Sequence, residues 1–203
     1  MNLHYLIREP KELKEIVIKD NKKEAQGITK IDINKVKNVV GPNAGVENIL
    51  MTLPGVNNNN ELSTQYNVRG GNFDENLVYV NDVEIYRPFL VRSGQQEGLS
   101  FINADLVSSV KFSAGGFEAR YGDKLSSVLD IRYKKPKDFG GSFSAGLLGT
   151  SISFEGTNKN RRLSYLIGFR QKTTRYLLGT LDVDGDYQPS FYDLQTFVSY
   201  DIS

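Results

Sequence analysis

Alternating apolar and polar residues in the C-terminal third of the chain constrain the fold most strongly. From Leu163 to Phe169 every second residue is apolar or aromatic. The same alternation recurs from Leu194 to Ile202, and in two opposite phases from Phe143 to Phe154. Side chains of a β-strand point to opposite faces in turn, so these segments predict three long strands, each with one apolar face.

These segments have the length and pattern of strands that cross an outer membrane. They run for about ten residues and carry aromatic residues near their ends, as barrel strands do. The chain ends at Ser203, at the end of the last segment. An unpaired sheet edge there is an arrangement that natural proteins avoid, so we expect a barrel that is cut short.

The composition excludes several classes of function. Basic residues number 25 and acidic residues 24, without a basic stripe, so we do not expect nucleic-acid binding. The chain has no cysteine and one histidine, His4, and we therefore expect no disulfide framework, metal site or cofactor. Neither a nucleophile elbow nor a complete phosphate loop is present, so we do not expect an enzyme.

The first residues, Met1 to Pro10, contain no apolar core of a signal peptide. One interpretation is a cytosolic protein, and the other is that the native N-terminus preceded Met1 and was removed. The barrel-like strands favour the second interpretation.

The central part of the chain predicts short helices and strands. Apolar residues at helical spacing from Val46 to Leu53 predict a helix, with Asn43 as its cap and Pro54 as its end. The asparagine run from Asn57 to Asn60 predicts a loop.

Further strands are predicted around conformationally permissive residues. Two β-rich runs flank Asn81 and Asp82, which predicts a two-residue hairpin. Asn103 is predicted to cap a short helix through Val107. The other predicted strands lie at Tyr66–Val68, Val110–Ala114 and Leu129–Tyr133.

Several phrases in this region resemble the plug domain of TonB-dependent outer-membrane receptors. They span Asn67 to Tyr86, Ser100 to Asp105, and Gly115 to Ile131, with Leu53-Pro54-Gly55-Val56 upstream. The phrases occur in the family's order and spacing over residues 15–136. They are most similar to receptors of Bacteroidetes-type bacteria.

The resemblance implies an α+β plug domain, in which a small mixed sheet carries short helices. The first antiparallel strands of a transmembrane β-barrel follow it, and the barrel is incomplete. The implied boundaries are a flexible segment at residues 1–14, the plug at 15–137 and barrel strands at 138–203.

Two glycine-containing motifs are the implied gate. In plugs of this family, arginines in these motifs contact the barrel interior, and the fork of Arg120 could pair bidentately with barrel-wall carboxylates. Gly70 and Gly71 would permit a backbone path closed to residues with a Cβ. The predicted gate and barrel-contact residues are Arg69, Gly70, Gly71, Arg120, Tyr121 and Gly122.

An apolar run near the N-terminus is the candidate contact for TonB. Glu15, Ile16, Val17 and Ile18 resemble the short segment that pairs with TonB by strand addition. The alternative is that this run is the first plug strand.

The loop from Tyr86 to Gly98 is the candidate ligand-facing loop. Tyr86, Arg87, Phe89 and Arg92 could contact an anionic or aromatic ligand at the outer face of the plug. The alternative is a loop that is only solvated.

The resemblance therefore implies a ligand-gated active-transport receptor in the outer membrane of a Gram-negative bacterium. Its partners would be TonB, the outer-membrane lipid and an unknown scarce nutrient, which could resemble a siderophore, cobalamin, a peptide or a glycan. Two alternatives stay open: a soluble periplasmic binding or interaction module, and an outer-membrane signalling receptor.

Overall fold

The structure, a computed structural model, describes residues 27–38, 45–58, 63–86, 88, 100–173 and 190–202. The predicted combination of a mixed sheet with short helices and separate antiparallel strands is confirmed. The elements are β1 (Ile28–Ile31), α1 (Ile33–Asn38), α2 (Val46–Leu50), β2 (Val56–Asn57), β3 (Asn67–Val68), β4 (Asn76–Val80), β5 (Val83–Glu84), β6 (Val107–Ser113), β7 (Ser127–Tyr133), β8 (Gly140–Gly146), β9 (Gly149–Thr157), β10 (Leu163–Thr173) and β11 (Ser190–Tyr200).

A five-stranded sheet forms the centre of the N-terminal part, in the order β1-β6-β7-β4-β5. Strands β4 and β7 are parallel and the other neighbours are antiparallel. Strand β7 is central, and its first five residues are buried because both faces of the sheet are covered. On one face Ile131 pairs in register with Val110 and Val80, and all three are buried in the main core.

The predicted local signals of this region are confirmed. Asn81 and Asp82 have φ values of 50° and 67°, the left-handed conformation that a two-residue hairpin requires. Asn103 caps a 3₁₀ turn at Ala104–Leu106, and its side chain accepts a hydrogen bond from the backbone N–H of Asp105 at 3.1 Å.

Strand β1 and helix α1 lie in a region for which the sequence pattern predicts neither a strand nor a helix. The strand is at the edge of the sheet, so Thr29 and Lys30 are exposed and Ile31 is buried. Asp32 directly precedes α1, and its carboxylate accepts from the N–H of Asn34 at 2.9 Å. A charged edge strand has little apolar periodicity, which is why the pattern failed here.

The predicted helix from Val46 to Leu53 is shorter than expected. Its α-helical part ends at Leu50, and turns continue to Leu53, whose N–H donates to the carbonyl of Leu50 at 2.9 Å. The N-cap is Gly45, so the prediction of Asn43 as the cap is wrong, and Asn43 itself lies outside the described residues.

The described residues include no helix that is long and apolar enough to span a membrane.

The asparagine run is not entirely a loop, because Asn57 belongs to β2 and pairs with Asn67 of β3. Asn59 and Asn60 lie outside the described residues.

The C-terminal part contains a four-stranded antiparallel sheet in the order β11-β10-β9-β8, not three strands. The change of phase near Leu147 and Leu148 is a tight turn between β8 and β9, where Gly146 pairs with Gly149. A turn that reverses the chain explains why the apolar positions change parity. The strands are seven, nine, eleven and eleven residues long.

This four-stranded sheet has its apolar side chains on the outside. Along β11 exposure alternates strictly, and the exposed positions include Tyr192, Leu194, Val198 and Tyr200. The same face carries exposed Phe143, Phe154, Leu163, Ile167 and Phe169 from the other strands. The opposite face is mostly polar or small, and it contacts the N-terminal part.

Candidate functional site

The Arg69-Gly70-Gly71 motif forms a tight turn after β3. Arg69 and Gly70 both have left-handed backbones, with φ of 50° and 82°. The N–H of Arg69 donates to the carbonyl of Gly55 at 2.8 Å, and the N–H of Gly71 donates to that of Val68 at 2.9 Å. Gly70 is therefore suited to the backbone angle of this turn.

Gly71 is needed for a different reason, which is close approach. A Cβ added there would lie 1.7 Å from the hydroxyl oxygen of Ser126 and 2.6 Å from a carboxylate oxygen of Glu75. These two side chains are hydrogen-bonded to each other at 2.8 Å. Gly71 thus allows the turn to pack against the segment that enters β7.

The Arg69 side chain is exposed and lies between two glycines. Its Cγ would be 3.3 Å from a Cβ at Gly55, and its Nη1 would be 3.4 Å from a Cβ at Gly115. It forms no ion pair with any residue that the structure describes. A contact between Arg69 and a barrel wall stays a prediction.

Arg120 and Tyr121 belong to a charged network on the five-stranded sheet. Arg120 pairs with Glu118 at 2.9 Å and lies 3.7 Å from the carboxylate of Asp130. Its guanidinium stacks 4.4 Å from the ring centroid of Tyr121 and donates to the Tyr121 hydroxyl. Both acidic partners of Arg120 in the described residues lie in the predicted plug region, so a barrel contact of Arg120 also stays a prediction.

The network continues through the buried carboxylate of Asp130. Tyr121 donates to Asp130 at 2.8 Å, and Arg132 lies 3.4 Å from the other oxygen. Burial, followed by the hydrogen bond to Asp130, raises the pKa of Tyr121 to about 12, so the phenol stays protonated as a donor. The aromatic rings of Tyr121 and Tyr79 are 5.3 Å apart in an edge-to-face arrangement.

Arg132 connects this network to the hairpin between β4 and β5. It forms a two-pronged ion pair with Asp82, which lies at the hairpin turn. The hydrogen bonding between Arg132 and Asp82 lowers the pKa of Asp82 and raises the pKa of Arg132.

Gly122 lies outside this network. It is exposed and has no neighbour within 4 Å of where a Cβ would lie.

Sequence reasoning missed the contact between the two parts of the molecule. We call Ser100–Leu106 the docking segment, because it lies against the inner face of β9, β10 and β11. Arg170 of β10 donates to the carbonyl oxygens of Ser100 at 2.9 Å and Ile102 at 2.8 Å. Gln195 of β11 donates to the carbonyl between them, that of Phe101, at 2.5 Å. Two side chains thus bind three consecutive backbone carbonyls.

Both binding side chains are held in position by neighbours. Asp193, the register partner of Arg170, accepts from its Nε at 3.0 Å. Tyr133 of β7 donates to the side-chain oxygen of Gln195 at 2.9 Å, which leaves the Gln195 amide nitrogen to donate. Desolvation raises the pKa of Tyr133 to about 12, so this donor keeps its proton.

The second half of the docking segment fits a glycine on β10. A Cβ added at Gly168 would lie 2.5 Å from the amide nitrogen of Asn103 and 3.1 Å from a methyl group of Leu106. Ser151 of β9 donates to the carboxylate of Asp105 at 3.0 Å. The close approach therefore depends on the absence of a side chain at position 168.

A buried carboxyl lies behind the docking segment. Glu47 of α2 is 3% exposed and accepts a hydrogen bond from the hydroxyl of Ser100, whose oxygen also accepts from the N–H of Ile102 at 2.9 Å. Desolvation raises the pKa of Glu47 and outweighs the opposing effects of Ser100 and of the Arg170 charge. Helix α2 is thereby connected to β10 through Ser100 and Arg170.

One further ion pair joins the two parts, between Lys134 and Glu155 of β9 at 2.9 Å. The sequence did contain a signal for this interface. Along β10 and β11 apolar residues alternate with polar ones, and the polar positions include Arg170, Asp193 and Gln195. Polar positions of such a strand face inward, where a binding role could have been expected.

The other predicted site residues are placed as follows. Tyr86 is 85% exposed, beyond β5. Arg87, Phe89 and Arg92 lie outside the described residues. The candidate TonB segment, Glu15 to Ile18, also lies outside them. Within the described ranges, no group of histidine, cysteine and acidic residues could hold a metal ion.

Comparison with solved structures shows the same fold in three proteins. They are the siderophore receptor PirA from Acinetobacter baumannii, the alcaligin outer-membrane receptor FauA from Bordetella pertussis and the outer-membrane transporter YddB from Escherichia coli. Their identities to this chain are 18%, 16% and 11%, with TM-scores of 0.62, 0.60 and 0.58. The similarity covers 88%, 90% and 87% of this chain.

The matched part is 30%, 30% and 31% of those three chains, so this chain spans less than a third of their length. No curated protein matches the sequence. Residues 20–128 match the family model of the TonB-dependent receptor plug domain. This match includes both glycine motifs and the docking segment, and the chain therefore belongs to the TonB-dependent receptor plug-domain family.

Proposed function

We propose that this chain is the plug and the first barrel strands of a ligand-gated transport receptor in a Gram-negative outer membrane. In this proposal the plug occludes the barrel, and TonB remodels it to admit a scarce nutrient. One observation carries the proposal: the four-stranded sheet is apolar on its outer face and binds the plug with its polar inner face.

The outer face suits a lipid environment better than water. Phe143, Tyr192 and Leu194 are 69%, 66% and 68% exposed on one continuous face. Soluble proteins seldom expose a contiguous apolar surface of this kind, whereas the lipid-facing residues of a barrel must be apolar. A soluble periplasmic module is disfavoured for this reason.

The spacing of aromatic residues along β11 agrees with the thickness of a bilayer. Tyr192 and Tyr200 lie on the outer face, eight positions apart. Eight residues of extended strand span about 27 Å. A strand tilted by about 40° would place the two rings about 20 Å apart across the membrane, near the height of the apolar band of outer-membrane barrels.

The inner face is suited to hold a removable plug. Many of its contacts are hydrogen bonds and ion pairs, including those of Arg170, Gln195, Ser151 and Glu155, beside the edge-to-face contact of Phe197 with Tyr133. Polar contacts of this kind can be exchanged for water when the plug moves, whereas a large apolar interface would resist separation.

The remaining roles follow from this arrangement. Residues 15–137 would form the plug and 138–203 the barrel strands, after a flexible segment at 1–14. The two arginine motifs would act as structural elements of the gate, Glu15 to Ile18 would bind TonB, and the loop beyond Tyr86 would face the ligand. The ligand class is open among siderophore-, cobalamin-, peptide- and glycan-like nutrients, and no catalysed step is proposed.

Ion conductance in planar bilayers tests the occlusion. The full-length receptor is compared with a variant that lacks residues 15–137. We expect the intact receptor to conduct little and the deletion variant to form large, stable pores. Equal conductance of the two proteins, or a failure of both to insert, would overturn the proposal.

Binding of the purified periplasmic domain of TonB tests the coupling role. Val17→Pro in the full-length receptor removes a backbone donor that strand addition needs. Val56→Pro would be an unsuitable control, because Val56 is buried in strand β2 and its replacement disturbs the plug. Asn2→Pro, outside the candidate segment, is the matched control. We expect Val17→Pro alone to abolish binding; unchanged binding would assign Glu15–Ile18 to a plug strand.

A further inference from the structure

The turn between β9 and β10 concentrates positive charge at one end of the four-stranded sheet. Residues 158–162 contain Lys159, Arg161 and Arg162, and all three side chains are exposed. None of them forms an ion pair with a described residue. Three neighbouring cations without a counter-charge repel one another, so this turn would be stabilised by an anion.

The backbone of the turn is well ordered by hydrogen bonds. The side chain of Asn158 accepts from the N–H groups of Arg162 and Leu163 at 3.0 and 3.2 Å. The N–H of Arg161 donates to the carbonyl of Asn158 at 2.9 Å, and Arg161 has a φ of 55°. These bonds fix the backbone from which the three cations project.

Apolar side chains lie directly beside the turn on the outer face of the sheet. Leu163 pairs in register with Tyr200, and Val198 and Tyr200 are each 58% exposed. Beyond them Ile202 is 89% exposed. Asp201 is bonded to this turn through its N–H, which donates to the carbonyl of Arg162 at 2.8 Å. Its carboxylate forms no ion pair with any described residue. Cations next to a lipid-facing surface lie at the level of phospholipid phosphates.

The other end of the sheet differs. The described residues 145–150, at the turn between β8 and β9, contain no charged side chain, and the cation at this end is Lys172 of β10, the register partner of Gly149. The strands β10 and β11 are separated there by residues 174–189, a much longer connection than the five residues of the basic turn. In outer-membrane barrels the long loops are extracellular, so the long connection at residues 174–189 assigns its end of the sheet to the outside and the basic turn to the inner leaflet. The turn between β8 and β9 is also short, and the assignment therefore rests on the long connection.

We infer that the Lys159–Arg162 turn binds the phosphate groups of anionic phospholipids, such as phosphatidylglycerol, in the periplasmic leaflet. The guanidinium groups of Arg161 and Arg162 can each donate two parallel hydrogen bonds to phosphate oxygens, and Lys159 adds a point charge. This lipid contact fixes the height of the strands in the bilayer. The inference rests on the proposed placement of the strands in a membrane.

Lipid titration of the full-length receptor in an uncharged detergent tests the inference. Dioctanoyl-phosphatidylglycerol, dioctanoyl-phosphatidylcholine and inorganic phosphate are the three probes, and native mass spectrometry measures their binding. The test variant carries Lys159→Gln, Arg161→Gln and Arg162→Gln. The matched control loses three plug cations through Lys35→Gln, Lys111→Gln and Lys124→Gln.

We expect the test variant to bind phosphatidylglycerol roughly 100-fold more weakly than wild type, since each cation contributes about five-fold near an anionic lipid. The control variant should change less than three-fold, and phosphatidylcholine binding should be equal in all proteins. Should the test variant fail to fold, Arg161→Lys with Arg162→Lys keeps the charge and removes both forks, and should weaken binding measurably.

Equal losses in the test and control variants, or no loss in either, would overturn the inference. Inorganic phosphate that competes as strongly as the lipid would also overturn it, because the site would then bind free anions. A receptor that binds no detergent around its apolar face would instead contradict the proposed membrane placement of the strands.

Discussion

The two sheets of this protein use the same alternation of side chains with opposite results. In the five-stranded sheet Val110 and Phe112 of β6 alternate with Lys111 and are buried in the core under the helices. In the four-stranded sheet Leu194 and Val198 alternate just as regularly and are exposed. Alternation therefore identifies a two-faced strand, and the surroundings decide which face is buried.

The largest expected effect is in the plug core. Ile131→Ala removes a side chain that is 0% exposed, and we expect it to destabilise the plug by about 2–5 kcal/mol. Leu194→Ala, on the outer face of β11, is the matched control and should cost the plug less than about 0.5 kcal/mol. Amide hydrogen exchange of β7 in the full-length protein measures both; equal losses of protection would remove the distinction between the two sheets.

The next effect is at the docking segment. Arg170→Ala leaves the carboxylate of Asp193 without its partner and removes the donors to Ser100 and Ile102. We expect the docking of this segment to weaken by about 2–4 kcal/mol, because a largely buried charge and two carbonyls lose their partners.

Hydrogen exchange of residues 102–106 measures this loss. Arg162→Ala, at an exposed position of the turn between β9 and β10, is the control and should leave the exchange unchanged. Docking that survives Arg170→Ala would mean that apolar contacts, and not this side chain, hold the plug against the strands.

A smaller effect is expected from one methyl group on β10. Gly168→Ala would place its Cβ 2.5 Å from Asn103, so the docking segment must shift, at a cost of about 1–3 kcal/mol. Gly122→Ala, at a position with open space around it, should cost less than about 0.5 kcal/mol. Thermal unfolding compares the two variants, and an equal midpoint would show that the close approach at Gly168 is unimportant.

The smallest effect is a dependence on pH. The folded protein binds the proton of Glu47 more tightly than the unfolded chain, whose carboxyl has the ordinary pKa of 4.5. Stability from this group is therefore full below pH 4.5 and declines as the pH rises toward the raised pKa of the folded state.

Glu47→Gln should remove that decline, because the amide is neutral at every pH and has nearly the same shape. Glu84→Gln, on the edge strand β5, is the control and should keep the wild-type profile. Denaturant unfolding between pH 4 and pH 8 measures the profiles; parallel curves for wild type and Glu47→Gln would contradict a buried neutral carboxyl.

Sequence reasoning succeeded where the signal is local. The Asn81-Asp82 hairpin and the Asn103 cap depend on residues that prefer those conformations, and both are present. Strand β1 was missed because an exposed edge strand lacks apolar alternation.

The docking interface could not be derived in the same way. Arg170 binds carbonyls about 70 residues earlier in the chain, and any residue type can supply a carbonyl, so the partner leaves no trace in the sequence. Arg120 was predicted to contact the barrel wall, and in the described residues its charge is met by Glu118 and Asp130. The ion pair of Arg120 with Asp130 forms only when the folded chain brings β7 beside Arg120, so the sequence alone does not predict it.

The most direct test of the account is the environment of successive residues along β11. This chain has no cysteine, and any cysteine elsewhere in the full-length receptor is replaced by serine. Single cysteines are then introduced at positions 192–200 and spin-labelled in lipid nanodiscs. We expect labels at Leu194 and Val198 to be accessible to oxygen dissolved in lipid and protected from a water-soluble nickel reagent. Labels at Gln195 and Phe197 should be protected from both by the plug. An accessibility that does not alternate, or water exposure at Leu194, would contradict a membrane-spanning sheet with a plug on its inner face.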